Sequence, residues 1–82
     1  MKLSAIKKLV DSACKKDLLL AELAFRNLEK PLLEVDGEDE GEQLTHVLAA
    51  QFIQNQMNEN GLDYVAALRI FLAKVRTSVS LN

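Results

Sequence analysis

The sequence predicts an all-α protein, a compact bundle of four helices, and three observations carry that reading. The chain of 82 residues holds only three Gly and one Pro, while Leu, Ala, Lys, Glu and Gln, all good helix formers, are abundant. β-branched residues never fall into the alternating runs of a strand. Apolar residues recur at helical spacing through four segments separated by stop signals. The length gives a single domain, 1–82, and a small stability margin, because a domain of this size buries only about 60–65% of the surface its unfolded chain exposes.

The first helix is expected at about 4–16. Leu3, Ile6, Leu9, Val10 and Ala13 fall on one face, opposite Lys7, Lys8, Asp11, Ser12 and Lys15. Ser4 is its expected N-cap, and Lys15 and Lys16 sit at the negative end of its dipole. The apolar stripe continues in phase through Leu20, Ala24 and Leu28, but a single helix reaching Lys30 would put Asp17 in the middle of it. Burying an unpaired carboxylate is costly, whereas as N-cap of a new helix the same side chain satisfies a free backbone N–H. The break is therefore expected at Lys16-Asp17.

The second helix, about 18–29, stops ahead of Pro31, which disfavours a helical Lys30. Leu18, Leu20, Ala21, Leu23, Ala24, Phe25 and Leu28 cover more than half its circumference and leave Glu22, Arg26, Glu29 and Lys30 as a charged strip. A helix this apolar is expected to be covered on two sides, at the centre of the domain. The loop at about 31–41 opens with Leu32, Leu33 and Val35, expected to tuck onto the core. Its remainder, Asp36-Gly37-Glu38-Asp39-Glu40-Gly41, is an acidic turn leading into a helix N-terminus, where negative charge is favoured.

The third helix, about 42–59, ends at Asn60-Gly61 as a left-handed stop. It carries no Lys, Arg, Asp or Glu from Gln43 to Asn58 and has two apolar stripes: Leu44, Val47, Leu48 and Phe52, then Ala49, Ala50, Ile53 and Met57. The fourth helix, about 63–78, takes Asp63 as N-cap with Leu62 stapled on Ala67. Tyr64, Leu68, Phe71, Leu72, Val75 and Val79 form its expected buried face, with Ala66, Ile70 and Ala73 as a smaller strip behind.

No set of residues specifies a catalytic, cofactor or metal site, and the chain reads as a non-enzyme. Asp36, Glu38, Glu40 and Gly41 match positions one, three, five and six of a calcium-binding loop, but position twelve, which must be a bidentate Glu, is Val47. His46, the only histidine, lacks the companions of a di-iron bundle or a hydrolase triad. It is expected to be a partly exposed residue paired with Glu42 one turn earlier. The lone Cys14 excludes a disulfide or zinc framework and fits a reducing compartment. Placed at a helix C-terminus, whose dipole opposes a thiolate, it reads as a small residue at the core edge.

Lys7, Lys8 and Asp11 interrupt any signal-peptide core, and no apolar stretch approaches the roughly 20 residues of a membrane span. A cytoplasmic protein without membrane partners is expected. A net charge of −2 disfavours generic nucleic-acid binding, although Lys2, Lys7, Lys8, Lys15 and Lys16 make the first sixteen positions basic. A helix-turn-helix reading of the last two helices fails because Asp63-Tyr64-Val65-Ala66-Ala67-Leu68 offers almost nothing to read bases.

The opening Met1-Lys2-Leu3 with Ile6-Lys7, and the ending Ala67-Leu68…Phe71…Val75, resemble small uncharacterised helical bacterial proteins classed as a domain of unknown function. The resemblance implies an all-helical fold and brings no activity, ligand or site residues with it.

The functional expectation is a protein-interaction module that self-associates or binds another protein. The expected interface lies on the third helix, at Ala49, Ala50, Ile53, Gln56 and Met57. Amides are desolvated at lower cost than charges, and a symmetric dimer would relieve a marginal core. A competing reading keeps the third helix sandwiched within one chain. The alternative function is a small nucleic-acid-associated regulator using the basic first helix. No cofactor or small-molecule ligand is expected.

Overall fold

The computed structural model describes the backbone of residues 1–80 and the side chains of residues 1–76. It contains α1 (Leu3–Ser12), α2 (Lys15–Arg26), α3 (Glu40–Asn60) and α4 (Tyr64–Ser80), with no strand among the described residues. The all-α fold with four helices is as the sequence predicts. The Val79 side chain lies outside the described residues.

The break between the first two helices exists but falls earlier than expected. α1 takes Lys2 rather than Ser4 as its N-cap, and Ala13 and Cys14 are both extended. The Ala13 N–H still donates to the Leu9 carbonyl at 2.9 Å, closing α1. Cys14 is the N-cap of α2, without a side-chain capping bond. Lys15 and Lys16 therefore open α2 instead of closing α1, and Asp17 stands exposed in the first turn of α2 rather than at its cap. The constraint that kept Asp17 out of the core is met by another route, with its carboxylate near the positive end of the α2 dipole.

α2 ends at Arg26, well before Pro31, in a Schellman turn. The Leu28 N–H donates to Phe25 O at 3.1 Å and the Glu29 N–H to Ala24 O at 2.8 Å. Leu28 holds the left-handed position of that turn with φ +60°, where glycine is the usual occupant.

The next boundary also falls earlier than expected. Asp39-Glu40-Gly41-Glu42 form a helix start: the Glu42 N–H donates to Asp39 Oδ1 at 2.7 Å, and Glu42 Oε1 accepts the Glu38 N–H at 2.8 Å. This variant of the capping box begins α3 at Glu40, before the expected Glu42. Gly37, φ +152°, lies against it; a Cβ there would come within 2.7 Å of Gln43 Cγ.

Close contacts divide the chain into two units, residues 1–51 and 52–82. In the first, Leu9 and Ala13 meet Leu18, Ala21 and Phe25 of α2 and Val47 and Ala50 of α3. Leu33 and Val35 fold back onto this core as expected, together with Val10 and Leu44, whereas Leu32 is fully exposed. In the second unit, Gly61 with φ +64° and Asp63, whose Oδ1 accepts the Ala66 N–H at 2.8 Å, turn the chain from α3 into α4. Both act as the sequence indicates. The Phe52 and Phe71 rings pack at 5.8 Å between centroids, and Lys74 lies over Phe52 at 5.1 Å.

The uncharged stretch of α3 now has a direct cause. From Glu42 to Met57 only Thr45 and Leu48 are exposed. A charge at most of these positions would lie at least partly withdrawn from water, which is costly without a partner.

Candidate interaction surface on the second helix

α2 is amphipathic in an unexpected sense. Leu18, Ala21 and Phe25 face the core, but the opposite side is not covered. Leu19, Leu20 and Leu23 are about half exposed, at 49%, 53% and 48%. Leu28 just beyond the helix is 88% exposed, and Leu32 is wholly so. The expectation that α2 would be enclosed on two sides is thus corrected. Leu20 and Leu23 lie on this outward side, with Lys16 before them and Asn27 after them at helical spacing.

A groove of about 520 Å³ runs between α2 and the segment that follows it, lined by Asp17, Leu20, Ala24, Glu29, Lys30 and Leu32 among others. The Schellman turn at Leu28 makes this groove, because it reverses the chain sharply enough to carry residues 29–33 back along α2. Lys15 and Lys16 stand at one end of the leucine ridge and Lys30 at the other, without an ion pair among the described residues. Arg26 is engaged by Glu22, Nε to Oε2 at 2.7 Å. Glu22 Oε1 also accepts the Gln51 amide of α3 at 2.9 Å. These bonds, first Gln51 and then Arg26, hold the Glu22 carboxyl below the usual carboxylate range.

The residues expected to form an interface on α3 are placed otherwise. Ala49, Ala50 and Ile53 have no exposed surface in the single chain. Gln56 and Met57 are half-buried.

His46 is likewise not the exposed partner of Glu42. It is completely buried, its Nε2 accepting the Lys2 backbone N–H at 2.9 Å and its Nδ1 donating to the Asp36 carbonyl at 2.7 Å. A ring that accepts at Nε2 is neutral with its proton on Nδ1, so His46 ties the chain before α1 and the acidic turn to α3. Glu42 pairs instead with the Glu38 N–H and the Met1 ammonium, at 3.3 Å from the latter. In that order they lower its carboxyl below the usual range.

Cys14 is exposed, not at the edge of the core. The acidic turn does not gather ligands: the Asp36 carboxylate faces Lys8, Asp39 caps α3 and Glu40 begins it. Among the described residues no three His, Cys, Asp or Glu side chains are grouped to hold a metal ion, and no helix is long and apolar enough to cross a membrane.

Together these features define a small helical protein with a leucine ridge beside a groove on its second helix. The chain belongs to a family of unknown function (DUF6952), whose model matches residues 1–80. No curated protein and no solved structure matches it.

Proposed function

We propose that this protein is a non-enzymatic protein-interaction module whose contact surface is the outward face of α2 and the adjoining segment at Leu28–Leu32. The observation that carries the reading is the exposure of Leu19, Leu20, Leu23, Leu28 and Leu32, which together present the equivalent of more than three whole leucines to solvent. Soluble monomers rarely show contiguous apolar patches beyond a few hundred Å², and larger ones mark contact sites. The α2 face is favoured over the α3 residues Ala49, Ala50 and Ile53, which have no exposed surface. The nucleic-acid reading loses support, since two lysines of α1 are engaged: Lys7 with Asp11 and Lys8 with Asp36.

Site-specific photocrosslinking in the cells that make the protein tests this reading. A benzophenone side chain at position 23 should yield discrete protein adducts, and the same group at position 7, on the charged face of α1, should not. Absence of adducts at 23, or equal adducts at both positions, would contradict it.

A further inference from the structure

We infer that His46 is a pH-operated latch: a second proton on its ring releases the start of α1 from α3 and leaves the acidic turn attached. The buried ring sits between a donor and an acceptor. Its Nε2 accepts the Lys2 backbone N–H at 2.9 Å, and its Nδ1 donates to the Asp36 carbonyl at 2.7 Å. Only the neutral ring with its proton on Nδ1 satisfies both partners, because the charged ring donates from both nitrogens. A proton added at Nε2 would point at the Lys2 N–H, donor against donor. The Asp36 carbonyl meets a donor in either state, so only the tie to Lys2 depends on the proton.

The start of α1 leans on that tie. Lys2 is the N-cap of α1 without a side-chain capping bond, and no acidic residue lies in the first turn. Its own side chain brings a cation to the positive end of the helix dipole, where positive charge is disfavoured. The second tie of this segment runs from the Met1 ammonium to Glu42 Oε2, 3.3 Å away. Glu42 lies one turn before His46 on α3 and interacts with it electrostatically. A charged ring is therefore attracted to the carboxylate that holds Met1, so protonation removes one tie and competes for the other. The Met1 and Lys2 ammonium groups oppose a cation on the ring. In the turn, the Asp36 carboxylate is engaged by Lys8 of α1, and Glu38 meets Glu42 through its backbone N–H. Ala5 and Ile6 are buried and confine the release to the residues before them. His46 is the single histidine, and histidine is the side chain whose charge ordinarily changes between about pH 5 and pH 8. Glu22 and Glu42, held below their usual range, stay ionised there.

Nuclear magnetic resonance of the isotope-labelled full chain tests the latch as pH is lowered from about 7.5 to about 5. The ring nitrogens should report a neutral ring with its proton on Nδ1 at the upper end and a charged ring at the lower end. Over the same titration the amide signals of residues 2–4 should move at least halfway to their unfolded positions. Those of residues 36–38 and of the rest of α1 should stay in place. His46→Gln carries a donor and an acceptor but does not titrate, and should abolish the pH dependence of residues 2–4. A ring that stays neutral to the lower end, or a charged ring with residues 2–4 unmoved, overturns the inference. So does release of residues 36–38 together with residues 2–4, unfolding of the whole chain in this range, or the same movement in folded His46→Gln. Should that variant not fold, the wild-type titration decides alone, because ring charge and segment release are read in the same sample.

Discussion

The ring of His46 accepts a hydrogen bond from the backbone N–H of Lys2, across 44 positions of sequence. With the Asp36 carbonyl on its other nitrogen, the side chain anchors two segments that have little regular structure of their own. His46→Phe keeps most of the volume and removes both bonds, leaving the part-buried Lys2 N–H and Asp36 carbonyl without this partner. The expected loss in a urea titration is about 2–4 kcal/mol. A loss below about 0.5 kcal/mol would mean that water reaches both groups.

Ile53 has no exposed surface. Ile53→Glu should therefore unfold the protein rather than produce a folded monomer from a dimer, since an unpaired buried carboxylate costs about 3–5 kcal/mol against a total of about 5–15 kcal/mol. Circular dichroism and light scattering on the variant distinguish the outcomes. A well-folded Ile53→Glu protein would return α3 to consideration as an interface.

These two residues show where sequence reasoning succeeds and where it stops. Gly61 and Asp63 were legible because stop and cap act on neighbouring backbone groups. Asp39-Glu40-Gly41-Glu42 carries an equally local signal: the acidic turn marks a nearby helix start, and the reach of Glu42 back to the Glu38 N–H places that start earlier, at Glu40. His46 could not be read: its partners are main-chain groups brought near by the fold, and no spacing records them. Asp17 set a correct requirement, an uncovered carboxylate, that two different breaks satisfy; the bond from Ala13 to Leu9 selects the earlier one. The exposed α2 face escaped for a related reason. Periodicity shows that Leu19, Leu20 and Leu23 are apolar and does not say whether their cover comes from the same chain.

Leu28 occupies a left-handed conformation that is unfavourable by roughly 1–2 kcal/mol for a residue with a Cβ. Leu28→Gly removes that strain and adds some freedom to the unfolded chain, for an expected net gain of about 0.5–1 kcal/mol. Thermal unfolding should show a higher midpoint. Because Leu28 also borders the proposed contact surface, the variant should crosslink less from position 23 while being more stable. A lower midpoint would mean that the leucine side chain supports the fold.

Acid should weaken the protein through Glu22 and Glu42. Both carboxyls are held below their usual range in the folded state, so the folded chain binds fewer protons than the unfolded one. Their contribution is complete above the ordinary carboxylate pKa of about 4.3 and is lost as pH falls through their lowered values. The melting temperature should drop between about pH 5 and pH 3, and Glu22→Gln combined with Glu42→Gln should flatten that drop. An identical acid profile in the double variant would show that other carboxylates govern it.

The central claim is that the leucines on the outer side of α2 are surplus to the fold and available to a partner. Its most direct test is the unfolding free energy of Leu23→Glu measured beside that of Leu18→Ala, two positions on opposite sides of one helix. Leu18 is fully buried and Leu23 about half exposed. Leu18→Ala should cost about 3 kcal/mol, and Leu23→Glu no more than about 1 kcal/mol, with helix content unchanged. A loss at Leu23 equal to or greater than that at Leu18 would contradict the account, because it would place the outer face of α2 inside the folded core.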